Sequence, residues 1–115
     1  MFARHPVISV TTFVEPFGED DVGNALFLIR KHVRFGRRLH IIDLNGLRAF
    51  SSDVRRALNL SVQWVRQYNG DVRVVCTHPT MRRALEQSGY DRFVDVHATI
   101  DDAIGAFREQ RPKAG

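Results

Sequence analysis

Leu39-His40-Ile41-Ile42-Asp43-Leu44-Asn45-Gly46-Leu47 is the stretch on which the reading of this chain turns. Its first six residues are almost continuously apolar and too few for a helix, which is how a strand covered on both faces reads. Helical patterns flank it. Upstream, Asp20 or Asp21 offers an N-cap, Val22, Leu26, Ile29 and Val33 recur at helical spacing, and Gly36 ends the run. Downstream, Ser51-Ser52-Asp53 caps a second helix with Leu58, Val62 and Val65 on one face, closed by Asn69-Gly70. A strand between two amphipathic helices is the unit of an α/β domain with right-handed crossovers.

The same alternation extends to both ends. Residues 7–14 are rich in β-branched side chains between Pro6 and Pro16 and predict a strand. Residues 72–76 predict another. Pro79 opens a short helix over 80–88 that Gly89 stops, 93–96 form a last short strand, and Thr99 with Asp101 and Asp102 caps a final helix to Arg108. Residues 1–109 thus read as one domain and 110–115 as a frayed tail.

Composition narrows the function. The chain has 115 residues, 43% of them hydrophobic and 26% charged, which suits one soluble core without staples. No apolar run is long enough to cross a bilayer and the N-terminus lacks a signal-peptide pattern, so a cytoplasmic location is expected, without membrane insertion. Cys76 is the single cysteine and reads as a buried structural thiol. The net charge of +4 comes from arginine-rich clusters at 30–38, 55–56 and 82–83. They are short and lack an aromatic stacking motif, so solvated helix faces are expected and direct nucleic-acid binding is not. His5, His32, His40, His78 and His97 show no ligand spacing, so no metal is expected. Asp43 has no base or nucleophile beside it and no glycine loop cradles phosphate, so neither a cofactor nor an enzymatic activity is expected. Trp64 and Phe27 fall within helical patterns and read as core or half-buried packing.

Three segments resemble a STAS domain, the family of anti-sigma factor antagonists and of sulphate-transporter tails. Ile41-Ile42-Asp43-Leu44-Asn45-Gly46-Leu47 resembles the family's central strand running into an Asp-Leu-x-x-Val loop. Gly70-Asp71-Val72-Arg73-Val74-Val75-Cys76, followed by Pro79, resembles the next strand and its short helix. Leu85-Glu86-Gln87-Ser88-Gly89-Tyr90 with Phe93 is similar to the signature that precedes the last strand. The resemblance spans 39–107, and more weakly back to Val7 through Gly18-Glu19. It implies a mixed sheet of four or five strands with about four helices, the strand at 7–14 running antiparallel to its neighbour. Ile41, Leu44, Leu58, Val62, Val74, Leu85 and Ile104 are the expected core.

The resemblance also implies a function. Regulated members present Asp-Ser-Ser-Gly at the start of the second helix and are phosphorylated on the serine after the aspartate. In ungapped register this motif falls on Ser51-Ser52-Asp53-Val54, so Ser52 keeps the acceptor position while its three neighbours differ. The implied role is an anti-sigma factor antagonist that binds an anti-sigma factor of histidine-kinase-like fold, with phosphorylation of Ser52 as its control. Asn45, Gly46, Ser51, Ser52, Asp53, Arg55 and Arg56 are the implied partner-binding residues. A plain N-cap is the alternative role for Ser52. Two other functions fit the family: an unphosphorylated STAS subunit of a membrane transport complex, and a ligand-sensing STAS-like domain.

Overall fold

The computed structural model describes residues 7–109; the tail expected at 110–115 lies outside them. Four strands, β1 (Ile8–Val14), β2 (Leu39–Gly46), β3 (Asp71–Val75) and β4 (Asp95–His97), alternate with four helices. These are α1 (Glu19–Arg34), α2 (Ser52–Gln67), α3 (Pro79–Gln87) and α4 (Ile100–Glu109). A short 3-10 turn at Tyr90–Arg92, absent from the sequence reading, joins α3 to β4.

The sheet is entirely parallel, in the order β1-β2-β3-β4. The mixed sheet and the antiparallel strand at 7–14 are corrected by the register, in which Ile8 lies beside Leu39 and Val10 beside Ile41. The reason is local: α1 fills the connection between β1 and β2, and a helix laid back along a sheet returns the chain to its starting edge. Crossovers of one hand in a sheet built in sequential order place their helices on one face. The packing obeys this rule. Residues of α1, α2 and α3 share the larger core with Phe13, Ile42, Leu44, Val72, Val74 and Cys76. Among the described residues only α4 covers the opposite face, where Ala103 and Phe107 meet Ile41 and Val75.

Six of the seven expected core residues are buried, and Ile104 is the exception, half-buried at the rim of the smaller cluster. One helix is too narrow to roof four strands, so Val10 and Val14 of β1 remain exposed on that face. Phe27 departs further from its reading as packing: it is 67% exposed on the outer side of α1.

Two buried polar side chains, Arg73 and His40, each find a partner inside the fold. Arg73 lies buried beneath α4, its Nη1 2.7 Å from Asp95 Oδ2 and its guanidinium 4.8 Å from the centre of the Phe107 ring. Without that carboxylate a buried cation would cost several kcal/mol. His40 is fully buried with Nε2 2.8 Å from Arg37 O, so the ring N–H sits on Nε2 and donates to that carbonyl. Burial holds this imidazole below its usual value of 6.5. Burial also pushes the Cys76 thiol up, the expected state of an inert structural cysteine.

The helix ends refine the expected caps. Gly18, and neither Asp20 nor Asp21, holds the N-cap position of α1, and Asp21 Oδ2 reaches back to accept from Gly18 N at 2.8 Å. At the end of α3, Gly89 has φ +76 and donates to Glu86 O. Space around a Cβ at Gly89 is open, so only the left-handed backbone opposes substitution. Gly89→Ala should therefore lower unfolding free energy by about 1 kcal/mol in urea melts, with the m-value unchanged. An unchanged midpoint would show that α3 ends by another route.

Candidate functional site

The loop that leaves β2 and the first turn of α2 carry the residues singled out in the sequence. Strands of a parallel sheet leave their connections together at the C-terminal edge, which gathers separate loops into one surface. Asn45 lies at this edge. Its Oδ1 accepts from Thr77 N at 2.7 Å, its own N–H donates to Asp43 Oδ1, and Thr77 Oγ1 donates to Ala98 O. Asn45 therefore ties the ends of β2, β3 and β4 together, and its amide oxygen is already engaged inside the protein.

Gly46 is needed for close approach. A Cβ there would stand 2.6 Å from Phe13 O and 3.0 Å from a Val14 methyl, because β1 shifts register against β2 at this point. Glu15 continues the clasp from β1, accepting from Arg48 N at 3.0 Å. Leu47 turns inward and is 1% exposed, while Arg48 and Ala49 stay in solvent. The loop is thus pinned at its base by one buried leucine and presents a short polar crest.

At the start of α2 the two serines divide their roles. Ser51 is the N-cap: its Oγ accepts from Val54 N at 3.2 Å. The cap role considered for Ser52 belongs to its neighbour. Ser52 is the first helical residue, is exposed, and its hydroxyl makes no hydrogen bond among the described residues. Asp53 follows half-buried, and Arg55 and Arg56 are exposed on the first turn.

Phe50 is a site residue that sequence reading missed. It stands at N′, half-buried, 6.1 Å from the Tyr90 ring, and the Arg55 guanidinium at N4 lies 5.4 Å over its own ring. An N′-to-N4 contact of this kind fixes the angle at which a chain enters its helix. The signal was available: a large apolar residue directly before the cap, with its partner four helical positions on. Burial pushes the Tyr90 phenol up to about 12, so it stays a neutral prop beneath Phe50.

The resulting surface has the free hydroxyl of Ser52 at the positive end of a helix, with Arg55, Arg56 and one carboxylate, Asp53, on the same first turn. Such a turn accommodates added negative charge with little cost to the fold. No cluster of three metal-ligating side chains occurs among the described residues.

Residues 7–103 match the STAS domain. The fold is similar to that of an anti-sigma factor antagonist from Mycobacterium paratuberculosis, at 23% identity and a TM-score of 0.76, over 92% of this chain and 90% of that one. It is also similar to the NMR structure of the protein TM1081, at 15% identity and a TM-score of 0.73, over 90% of this chain and 83% of that one. No curated protein matches the sequence. No helix among the described residues is long and apolar enough to cross a membrane.

The division of labour between the serines has a measurable consequence. Ser51→Ala removes the cap of α2 and should cost about 1 kcal/mol. Ser52→Ala touches only solvent and should stay within about 0.5 kcal/mol of wild type. Denaturant melts of the two variants distinguish them, and equal losses would contradict the assignment of Ser51 as the cap.

Proposed function

The chain belongs to the STAS domain family, and from that premise we propose that it is an anti-sigma factor antagonist working by protein–protein binding, without catalysis of its own. In this reading the crest over residues 45–52 and the first turn of α2 dock an anti-sigma factor of histidine-kinase-like fold in the cytoplasm. The partner's kinase activity then transfers phosphate to Ser52. The observation that carries the reading is the spare hydroxyl: Ser51 alone caps α2, leaving Ser52 exposed at the first helical position with no part in holding the fold.

The electrostatics explain why such a switch would act on the complex and not on the domain. A phosphate on Ser52 adds close to two negative charges where unpaired helix N–H groups and the exposed Arg55 and Arg56 already face solvent. The domain absorbs that charge. A partner surface built to meet a neutral hydroxyl does not, because like charge or an unmatched phosphate buried at an interface costs several kcal/mol. Ser51, Asp53 and Val54 replace the usual flanking residues, and Asp53 places one fixed negative charge next to the acceptor. It would lower affinity for any acidic kinase surface and favour one with a basic groove.

Ser52→Asp should weaken the complex with the native anti-sigma factor, recovered by pull-down and identified by mass spectrometry, by about tenfold or more. Ser52→Ala should bind like wild type, and both variants should keep the wild-type circular dichroism spectrum. Calorimetric titration reads the three affinities. Equal values for wild type and Ser52→Asp would overturn the switch, and recovery of a transport ATPase in place of a kinase-fold protein would overturn the partner class.

A further inference from the structure

Far from Ser52, the C-terminal halves of α1 and α2, with Phe35 just beyond α1, line a groove of about 810 Å³. Four aromatic side chains line it: Phe27, Phe35, Trp64 and Tyr68. Phe27 and Phe35 are 67% and 74% exposed. Large aromatics left contiguous in water are unusual on a soluble surface without a partner. The charged lining is wholly cationic, from Arg30, Lys31 and Arg34, with no carboxylate. Among the described residues none of these three cations is in an ion pair. Basic residues in the last turn of α1 complement its helix dipole, but a dipole gives no reason for Phe27 and Phe35 to face solvent.

We propose that this groove is a second docking site, taking an acidic protein segment that carries a bulky apolar side chain. Arg30 points to the chemistry. Its guanidinium carbon lies over the Trp64 ring, 4.2 Å from the centre, on an exposed side chain, and Trp64 in turn packs on Tyr68 with ring centres 5.3 Å apart. A stacked guanidinium is held in place while its N–H edge stays open, which is the pre-organised arrangement for bidentate carboxylate binding. The same stacking covers that face of Trp64, so a nucleobase finds no open indole face there. The concave aromatic floor suits an inserted side chain better than a flat bilayer surface does. Aromatic residues and arginine are also the residue types that dominate binding energy at protein interfaces. The site is independent of the Ser52 reading: α2 has sixteen residues, so its ends stand about 24 Å apart.

The chain contains a single tryptophan, so intrinsic fluorescence reports on the groove directly. A random peptide library displayed against the full chain supplies the probes, and each enriched peptide is then titrated against Trp64 emission. The expected result is enrichment of peptides combining Asp or Glu with Phe, Trp or Leu, and a saturable change in emission. Affinity should fall roughly tenfold or more in Phe27→Ala and in the double variant Lys31→Glu/Arg34→Glu, and should be unchanged in Ser52→Asp. All the altered groove residues are exposed, so circular dichroism should stay that of wild type. Failure to enrich any peptide, enrichment without an acidic bias, or affinities indifferent to the groove variants would each overturn the proposal. So would tighter groove-dependent binding of phosphatidylglycerol vesicles or of a single-stranded oligonucleotide, either of which would reassign the surface.

Discussion

Ile41 and Ile42 point to opposite faces of β2, and both are fully withdrawn from water. Each contributes on the order of 1.5–3 kcal/mol through burial, but the consequence is architectural. A strand buried on both sides needs a strand on each edge and a layer above and below, and the rest of the molecule supplies them. β1 and β3 flank it in parallel register. α1 and α2 close one face over Ile42 and Leu44, and α4 closes the other over Ile41. Removing either layer would expose the most apolar segment of the chain.

The unequal coverage of the two faces follows from the same constraint. Sequential parallel strands put three helices on one side and leave a single helix for the other. That thinner side holds the one arginine that is buried among the described residues, where Arg73 meets Asp95 and lies by the Phe107 ring. The ion pair ties β3 to β4 with a directional hydrogen bond whose loss would be costly, and the ring contact of Arg73 with Phe107 carries the same group to α4. The crowded side, by contrast, sets α1 and α2 side by side, and the aromatic groove is lined from both of them.

Function and fold meet at the C-terminal edge of the sheet. Asn45 spends its side chain on Thr77, Gly46 makes room for β1, and Leu47 anchors the crest. These three shape the surface that the proposed partner would meet, and Ser52, Arg55 and Arg56 are exposed beside it. A rigid base with a polar, uncommitted crest is a suitable arrangement for a binding module whose affinity is set by charge at one position.

The sequence by itself determined the succession of strands and helices, the left-handed end of α3 at Gly89, and the two-sided burial of β2, since each depends on periodicity or on conformational preference within a few residues. It also carried enough ordered motif to indicate the STAS family. Strand direction was legible in principle from the helix between β1 and β2, and expecting a mixed sheet overrode that local signal. Which of two adjacent serines caps α2 depends on where the helix begins, to a single residue, and propensity does not resolve that. The link from Asn45 to Thr77, the charge of Arg73 beneath α4, and the groove joining Phe27 to Trp64 were decided only by tertiary structure. They bring together residues 22 to 37 positions apart in sequence, and a linear pattern records which faces are apolar but not which of them meet.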